Sequence, residues 1–106
     1  MNPQFKKGVL NMCVLALLQQ KEMYGYEIVQ ALSKEIDVAE GSVYPLLRRL
    51  TNDGLFTTYL QESTEGPPRK YYKITEEGIA QYNAMKQDWQ QFISGVNSIM
   101  QGSEKK

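Results

Sequence analysis

The chain has 106 residues, 42% of them apolar and 23% charged, a composition that builds one small globular domain and excludes disorder. Twelve Lys and Arg balance twelve Asp and Glu, so a uniformly basic coat for nucleic acid is excluded and any such role must rest on local clusters. Histidine is absent and Cys13 is the single cysteine, which removes His-based zinc sites, Ser-His-Asp triads, Cys-His nucleophiles and internal disulfides. A chain this short buries ~60–68% of the surface it exposes when unfolded, so leftover apolar surface points to a partner.

Lys6-Lys7 followed by the apolar run Val9 to Leu18 imitates the start of a signal peptide. Asn11 interrupts that run, however, Gln19-Gln20-Lys21-Glu22 follows it, and no small-residue cleavage site appears. Bulky Met12 before Cys13 argues against a lipoprotein, and about ten residues are too few to cross a bilayer. The expectation is a cytoplasmic protein. From Phe5 to Gln20 the chain reads as a helix with two apolar faces, Val9, Met12, Cys13 and Ala16 on one and Leu10, Val14, Leu17 and Leu18 on the other. A helix apolar nearly all round is buried on more than one side, here against its own core and a second chain. Cys13 reads as a small buried hydrophobe.

A second helix is expected from Tyr24 to about Ile36, with Gly25, Ile28, Val29 and Leu32 on one face. After a turn at Asp37 to Gly41, a third helix places Val43, Leu46, Leu47 and Leu50 at i, i+3, i+4 and i+7. Pro45 fixes its start near Gly41 or Ser42, and Asn52-Asp53-Gly54 ends it. A hairpin follows: Leu55 to Gln61 and Arg69 to Ile74 are rich in β-branched and aromatic residues, and Glu62 to Pro68 reads as the loop. Thr75 is a good N-cap for a last helix running to about Met100, with Glu76 and Glu77 at its positive end. Along it Tyr82, Met85, Trp89, Phe92, Val96 and Ile99 form a heptad seam, widened by Ile79, Ile93 and Met100. That much apolar surface on one helix calls for a second copy of the chain. The tail from Gln101 to Lys106 is expected to fray.

These elements give a fold that is mainly α with a small β-hairpin, a winged helix-turn-helix over residues 1–74 and a dimerisation helix with frayed tail over 75–106. Architecture alone leaves an α+β interaction module without DNA as the alternative. Met23-Tyr24-Gly25-Tyr26-Glu27-Ile28 and the run Gly41 to Leu50 (Gly-Ser-Val-Tyr-Pro-Leu-Leu-Arg-Arg-Leu) bring a resemblance. With Asn52-Asp53-Gly54-Leu55 and the run Gly66 to Gly78 in the same order, the chain resembles the PadR family of bacterial transcriptional regulators from Gly8 to Trp89. A single C-terminal helix resembles that family's short branch. The resemblance implies a homodimeric repressor that binds double-stranded DNA at an operator of two-fold character; no cofactor and no membrane partner are expected.

The N-terminal part of the second helix of such a pair enters the major groove, which singles out Ser42 and Tyr44 for DNA binding. By resemblance, Tyr44 matches a DNA-facing Tyr of the family's Tyr-Pro pair; Ser42 also reads as a helix cap. Arg48 and Arg49 either grip phosphates or pair with Glu40, Asp53 or Glu27. The hairpin tip is expected to carry Arg69 and Lys70, with Lys73 further along, a mixture of base and aromatic that suits a wing on the backbone or in the minor groove. From Glu40 to Lys73, however, five basic residues stand against four acidic ones, so the reading depends on geometry. Tyr71 and Tyr72 read as sheet packing, at least one of them inward. Tyr24, Gly25 and Tyr26 open a helix whose backbone N–H groups could hold a phosphate, with both tyrosines as core or seam residues the alternative. Lys6 and Lys7 read either as a short DNA arm or as solvated charges.

Val9, Cys13, Tyr82, Trp89, Phe92, Val96 and Ile99 are the expected dimer interface. The resemblance further implies a possible planar aromatic effector at facing tryptophans. The expected pocket is lined by Met12, Cys13, Ala16, Met85 and Trp89; Asp88 is expected to point elsewhere, and Trp89 as plain dimer core is the alternative. A ligand-sensing or protein-interaction dimer with little DNA binding is the alternative function. An enzyme is not expected, since Glu76 and Glu77 read as helix-start charges and no other acids pair.

Overall fold

The computed structural model describes residues 3–104, with side chains from Gly8 onward. The chain runs α1 (Pro3–Gln20), β1 (Met23–Tyr24), α2 (Gly25–Glu35), α3 (Glu40–Asn52), β2 (Phe56–Ser63), β3 (Gly66–Ile74) and α4 (Glu76–Glu104). Lys6 and Lys7 fall within α1 rather than ahead of it, and their side chains lie outside the described residues.

Helical periodicity decides what α2 and α3 bury. Gly25, Ile28, Val29 and Leu32 of α2 and Val43, Leu46, Leu47 and Leu50 of α3 are all buried, on the faces their spacing predicts. They meet Leu10, Val14, Leu15 and Leu18 of α1 and Met23, Leu55, Phe56 and Tyr72 around the sheet in one core. Each large apolar side chain so enclosed contributes ~1.5–3 kcal/mol relative to exposure. On α1 the expected faces are shifted: Leu15 is fully buried, whereas Leu17, expected inward, only packs at the edge of the core.

Helix α3 begins slightly earlier than expected. Ala39 is its N-cap, extended at φ −80°, ψ 137°, and Ser42 is a helical residue rather than the cap. Pro45 stands inside the helix and leaves the Gly41 carbonyl without its intrahelical donor; both residues are exposed, so water can take that acceptor. The C-terminal end is as expected, with Gly54 at φ 83°, the left-handed conformation that glycine adopts without strain.

The sheet is larger than a hairpin, with order β1-β3-β2, all antiparallel. Met23 lies opposite Tyr72 and Tyr24 opposite Tyr71, a short third strand that the sequence reading omits. The loop predicted over Glu62 to Pro68 is also corrected, because pairing continues to Ser63 opposite Gly66. Pro67 and Pro68 are tolerated in β3 because the register is irregular between Gln61 and Ser63. Moreover, β1 reaches only Tyr71 and Tyr72, leaving that part of β3 an edge.

Thr75 caps α4 as expected. Its Oγ1 accepts the Gly78 N–H (3.0 Å) and its hydroxyl donates to the Gly54 carbonyl (2.8 Å), tying the end of α3 to the start of α4. Gly78 is the buried residue of α4. The helix continues to Glu104, so the predicted fraying from Gln101 is corrected, and Lys105 and Lys106 lie outside the described residues. Tyr82 and Met85 pack against the chain's own core, whereas Phe92 (57% exposed), Ile99 (78%) and Met100 (53%) are left in the open. Among the described residues, no helix is long and apolar enough to cross a membrane.

Candidate nucleic-acid interface

The outer surface of α3 is divided by its neighbours. On one side Arg49 is half-buried and its Nη2 donates to Asn11 Oδ1 of α1 at 2.9 Å. Its partner is therefore neither Glu40, Asp53 nor Glu27, and the residue ties α3 to α1 instead of facing outward. On the other side Tyr44 and Arg48 stay exposed, as does Ser42 in the first turn. The Tyr44 ring lies over Gly25 at the start of α2. Burial, with Glu40 and Tyr26 adding negative potential, pushes the Tyr44 phenol above its ordinary pKa. At neutral pH it is a hydroxyl that can donate to a phosphate oxygen or a base acceptor.

The wing sends Arg69 and Lys70 to opposite sheet faces. Lys70 follows the inward Tyr72 face, with Nζ 5.8 Å from that ring's centroid. Tyr72 itself is buried edge-on to Phe56, at 6.3 Å and 78°. Burial raises the Tyr72 phenol, Tyr44 raises it further and Arg48 opposes them, so these side chains lie within electrostatic reach of one another. Lys70 thus lies over Tyr72, with Tyr44 and Arg48 of α3 within electrostatic reach of the same ring. Arg69 is on the other face, its guanidinium carbon 4.5 Å above the Tyr24 ring. Neither base sits at the tip: Lys70 is opposite Leu60 and Arg69 opposite Gln61. The turn carries Glu65, whose N–H donates to Ser63 Oγ.

Tyr24 belongs to an aromatic row on that second face. Its ring is 5.5 Å from Tyr71, and Tyr71 stacks on Tyr59 at 5.5 Å and 13°. The Tyr59 hydroxyl donates to Glu22, a bond that pushes its pKa up to about 12. With Arg69 above it and Tyr71 beside it, the Tyr24 side chain is set apart from Tyr44 and Arg48. The tyrosine at the α2 start within electrostatic reach of Tyr44 is Tyr26, 51% exposed. Sequence reasoning grouped it with Tyr24, although the periodicity that turns Ile28, Val29 and Leu32 inward already places Tyr26 off the buried face. Leu60 of β2 is 71% exposed opposite Lys70.

A separate groove of about 350 Å³ runs between α1 and α4, lined by Gly8, Val9, Met12, Met85, Asp88, Trp89 and Phe92. Met12, Met85 and Trp89 meet there as expected. Cys13 and Ala16 do not, because they turn toward α2 and line a hollow with Leu17, Ala31, Leu32, Glu35 and Ile36. Asp88, expected to point elsewhere, lines the groove beside Trp89. The Cys13 thiol is half-buried, which raises its pKa and keeps it protonated.

Residues 14–84 match the model of the transcriptional regulator PadR-like family. A transcriptional regulator of Mycobacterium tuberculosis is 31% identical over 78 residues, 73% of this chain and 72% of its own. The crystal structure of a PadR-like transcriptional regulator from Bacillus cereus is similar at TM-score 0.84 and 43% identity, covering 92% of this chain and 97% of that one. A PadR family transcriptional regulator from Eggerthella lenta is similar at TM-score 0.79 and 32% identity, over 92% of this chain and 86% of its own. With a winged helix-turn-helix, a long terminal helix and a family match over most of its length, the chain belongs to the PadR-like family of transcriptional regulators, proteins that act on DNA rather than as enzymes.

Proposed function

We propose that the chain is a cytoplasmic homodimeric repressor that binds an operator of two-fold character. Two copies pack through α1 and α4, covering Phe92, Val96 and Ile99, and set their α3 helices for successive major grooves about one turn (~34–36 Å) apart. Ser42, Tyr44 and Arg48 read or position the duplex, and Lys70 holds a phosphate beside them. Arg69 reaches the backbone only by leaving the Tyr24 ring, and Arg49 braces α3 from behind. The observation that carries this reading is the exposure of Ser42, Tyr44 and Arg48 on α3, together with Lys70 held over the Tyr72 ring. It supplies a local basic and hydrogen-bonding face in a chain with no net charge.

The test is binding of the purified protein to a fragment spanning its own promoter at two salt concentrations. Tight binding that falls steeply with salt, as counterion release requires, and that resists an unrelated competitor supports the reading. Absence of binding by a confirmed dimer shifts weight to the second reading, a dimer that senses a planar aromatic molecule. The groove at Met12, Met85, Asp88 and Trp89 favours that role. Quenching of Trp89 fluorescence across a panel of planar aromatics tests it.

A further inference from the structure

We infer that Gly25 is a positioning residue for DNA binding: having no side chain, it seats the Tyr44 ring against the start of α2 and so sets where the Tyr44 hydroxyl meets the duplex. This rests on the reading of Tyr44 as a DNA contact.

Three observations lead to it. The first concerns the backbone. Among the described glycines only Gly54 has a positive φ, so the conformation at Gly25 is open to any L-residue. As the first residue of α2, the position has a backbone conformation that alanine adopts as readily as glycine. The second concerns space. A Cβ on Gly25 would stand 2.8 Å from Tyr44 Cε1 and 3.7 Å from both Cδ1 and Cζ, and these are its three nearest atoms. Carbon atoms rest at ~3.5–4.0 Å, so the room that glycine leaves is taken by one ring.

The third observation is that the crowding has a soft exit. Tyr44 is 37% exposed and turns on two side-chain torsions, whereas the main chain beneath it is fixed by the buried faces of α2 and α3. A methyl group at residue 25 would therefore displace the ring and spare the fold. Restoring carbon contact moves the ring by roughly 1 Å, and the hydroxyl at its far end moves with it. A hydrogen bond from that hydroxyl tolerates only a few tenths of an ångström around ~2.7–2.8 Å.

The test compares wild type, Gly25→Ala, Tyr44→Ala and the double variant on a duplex that wild type has enriched from a random-sequence pool. Affinity and the melting midpoint are both read. Gly25→Ala should weaken binding by roughly three- to tenfold, with melting unchanged or raised. Tyr44→Ala should weaken it by about tenfold or more, and the double variant should bind no worse than Tyr44→Ala alone. Wild-type binding by Gly25→Ala, with Tyr44→Ala impaired, would overturn the inference. So would a Gly25→Ala loss of equal size in the Tyr44→Ala background. If Gly25→Ala lowers the midpoint, recovery in the double variant assigns the crowding to the ring, and a persisting drop refutes it. Wild-type binding by Tyr44→Ala removes the assignment of Tyr44 itself, a failure distinct from that of the seat.

Discussion

The close approach of α4 to the end of α3 can be tested by one methyl group. A Cβ on Gly78 would lie 2.3 Å from the Leu55 carbonyl oxygen and 2.7 Å from Ile74 Cγ1. Unlike a mobile ring, that oxygen cannot retreat, because it already accepts the Thr75 N–H at 3.0 Å in the junction that positions α4. Overpacking of this kind costs ~1–3 kcal/mol, with backbone clashes toward the upper end. Alanine returns ~0.5–1 kcal/mol of helix preference, so Gly78→Ala should destabilise the chain by about 2 kcal/mol. For a domain of this size that corresponds to a melting midpoint lower by roughly 8–16 °C. Gly41→Ala is the matched control: it is also helical and exposed, nothing stands within 4 Å of the added Cβ, and the chain should be unchanged or slightly stabilised. Denaturant titration of both variants at one protein concentration measures the difference without confusing it with association. A Gly78→Ala midpoint equal to that of Gly41→Ala would refute the close approach of α4 to Leu55.

Removing the Thr75 hydroxyl as Thr75→Val should cost ~1–2 kcal/mol in the same titration, since it breaks both the cap to Gly78 and the bond to the Gly54 carbonyl. Arg49→Ala should cost about 1 kcal/mol of stability by freeing Asn11 while leaving affinity for the selected duplex within about twofold; a loss like that of Tyr44→Ala would place Arg49 on the DNA. Tyr59, held protonated to about pH 12 by Glu22, has a folded pKa above its ordinary value of 10.0. The stability it contributes is therefore fully present below pH 10 and is lost as the pH rises toward 12. Tyrosinate absorbance, with Tyr59→Phe as the reference, should show Glu22→Gln returning this phenol toward 10. Phe92→Asp should drive the chain to a monomer in sedimentation with its helix content retained, because Phe92 is 57% exposed on α4; an unchanged dimer would move the interface elsewhere.

Where one face of an element meets a single environment, the sequence was legible. The buried sets of α2 and α3 follow from spacing alone, and Thr75 follows from the capping preference of its hydroxyl. Helix α1 is apolar on both sides, so periodicity could not rank Leu15 above Leu17; the packing partners decide that. Strand β1 is two residues long and pairs with residues far downstream, too short for alternation to register and dependent on a contact that no local pattern encodes. Pro67 and Pro68 carry strong turn chemistry, yet irregular pairing and an open strand edge let β3 include them. At the candidate interface, residue types and their sides were readable, but the partners that wait on each side were not. Alternation along β3 sends Lys70 and Arg69 to opposite faces, and the helical twist that exposes Arg48 turns Arg49 toward Asn11.

Those directions also limit how the groove at Trp89 and the proposed DNA face of α3 can influence one another. Helix α1 is common to both: Gly8, Val9 and Met12 line the groove, and Asn11, on the same turn, holds Arg49 of α3. A molecule in the groove changes DNA affinity only by binding one placement of α1 better than another; equal affinity for both changes nothing, however tight it is. The Asn11–Arg49 bond is worth about 1 kcal/mol, so coupling through it alone is limited to roughly fivefold. Any larger response must come from the whole helix moving. Leu10, Val14, Leu15 and Leu18 are packed into the core that α3 shares, so a shift of α1 carries α3 with it. The strength of such a response would therefore be set by core packing between α1 and α3, with the polar link fixing their register.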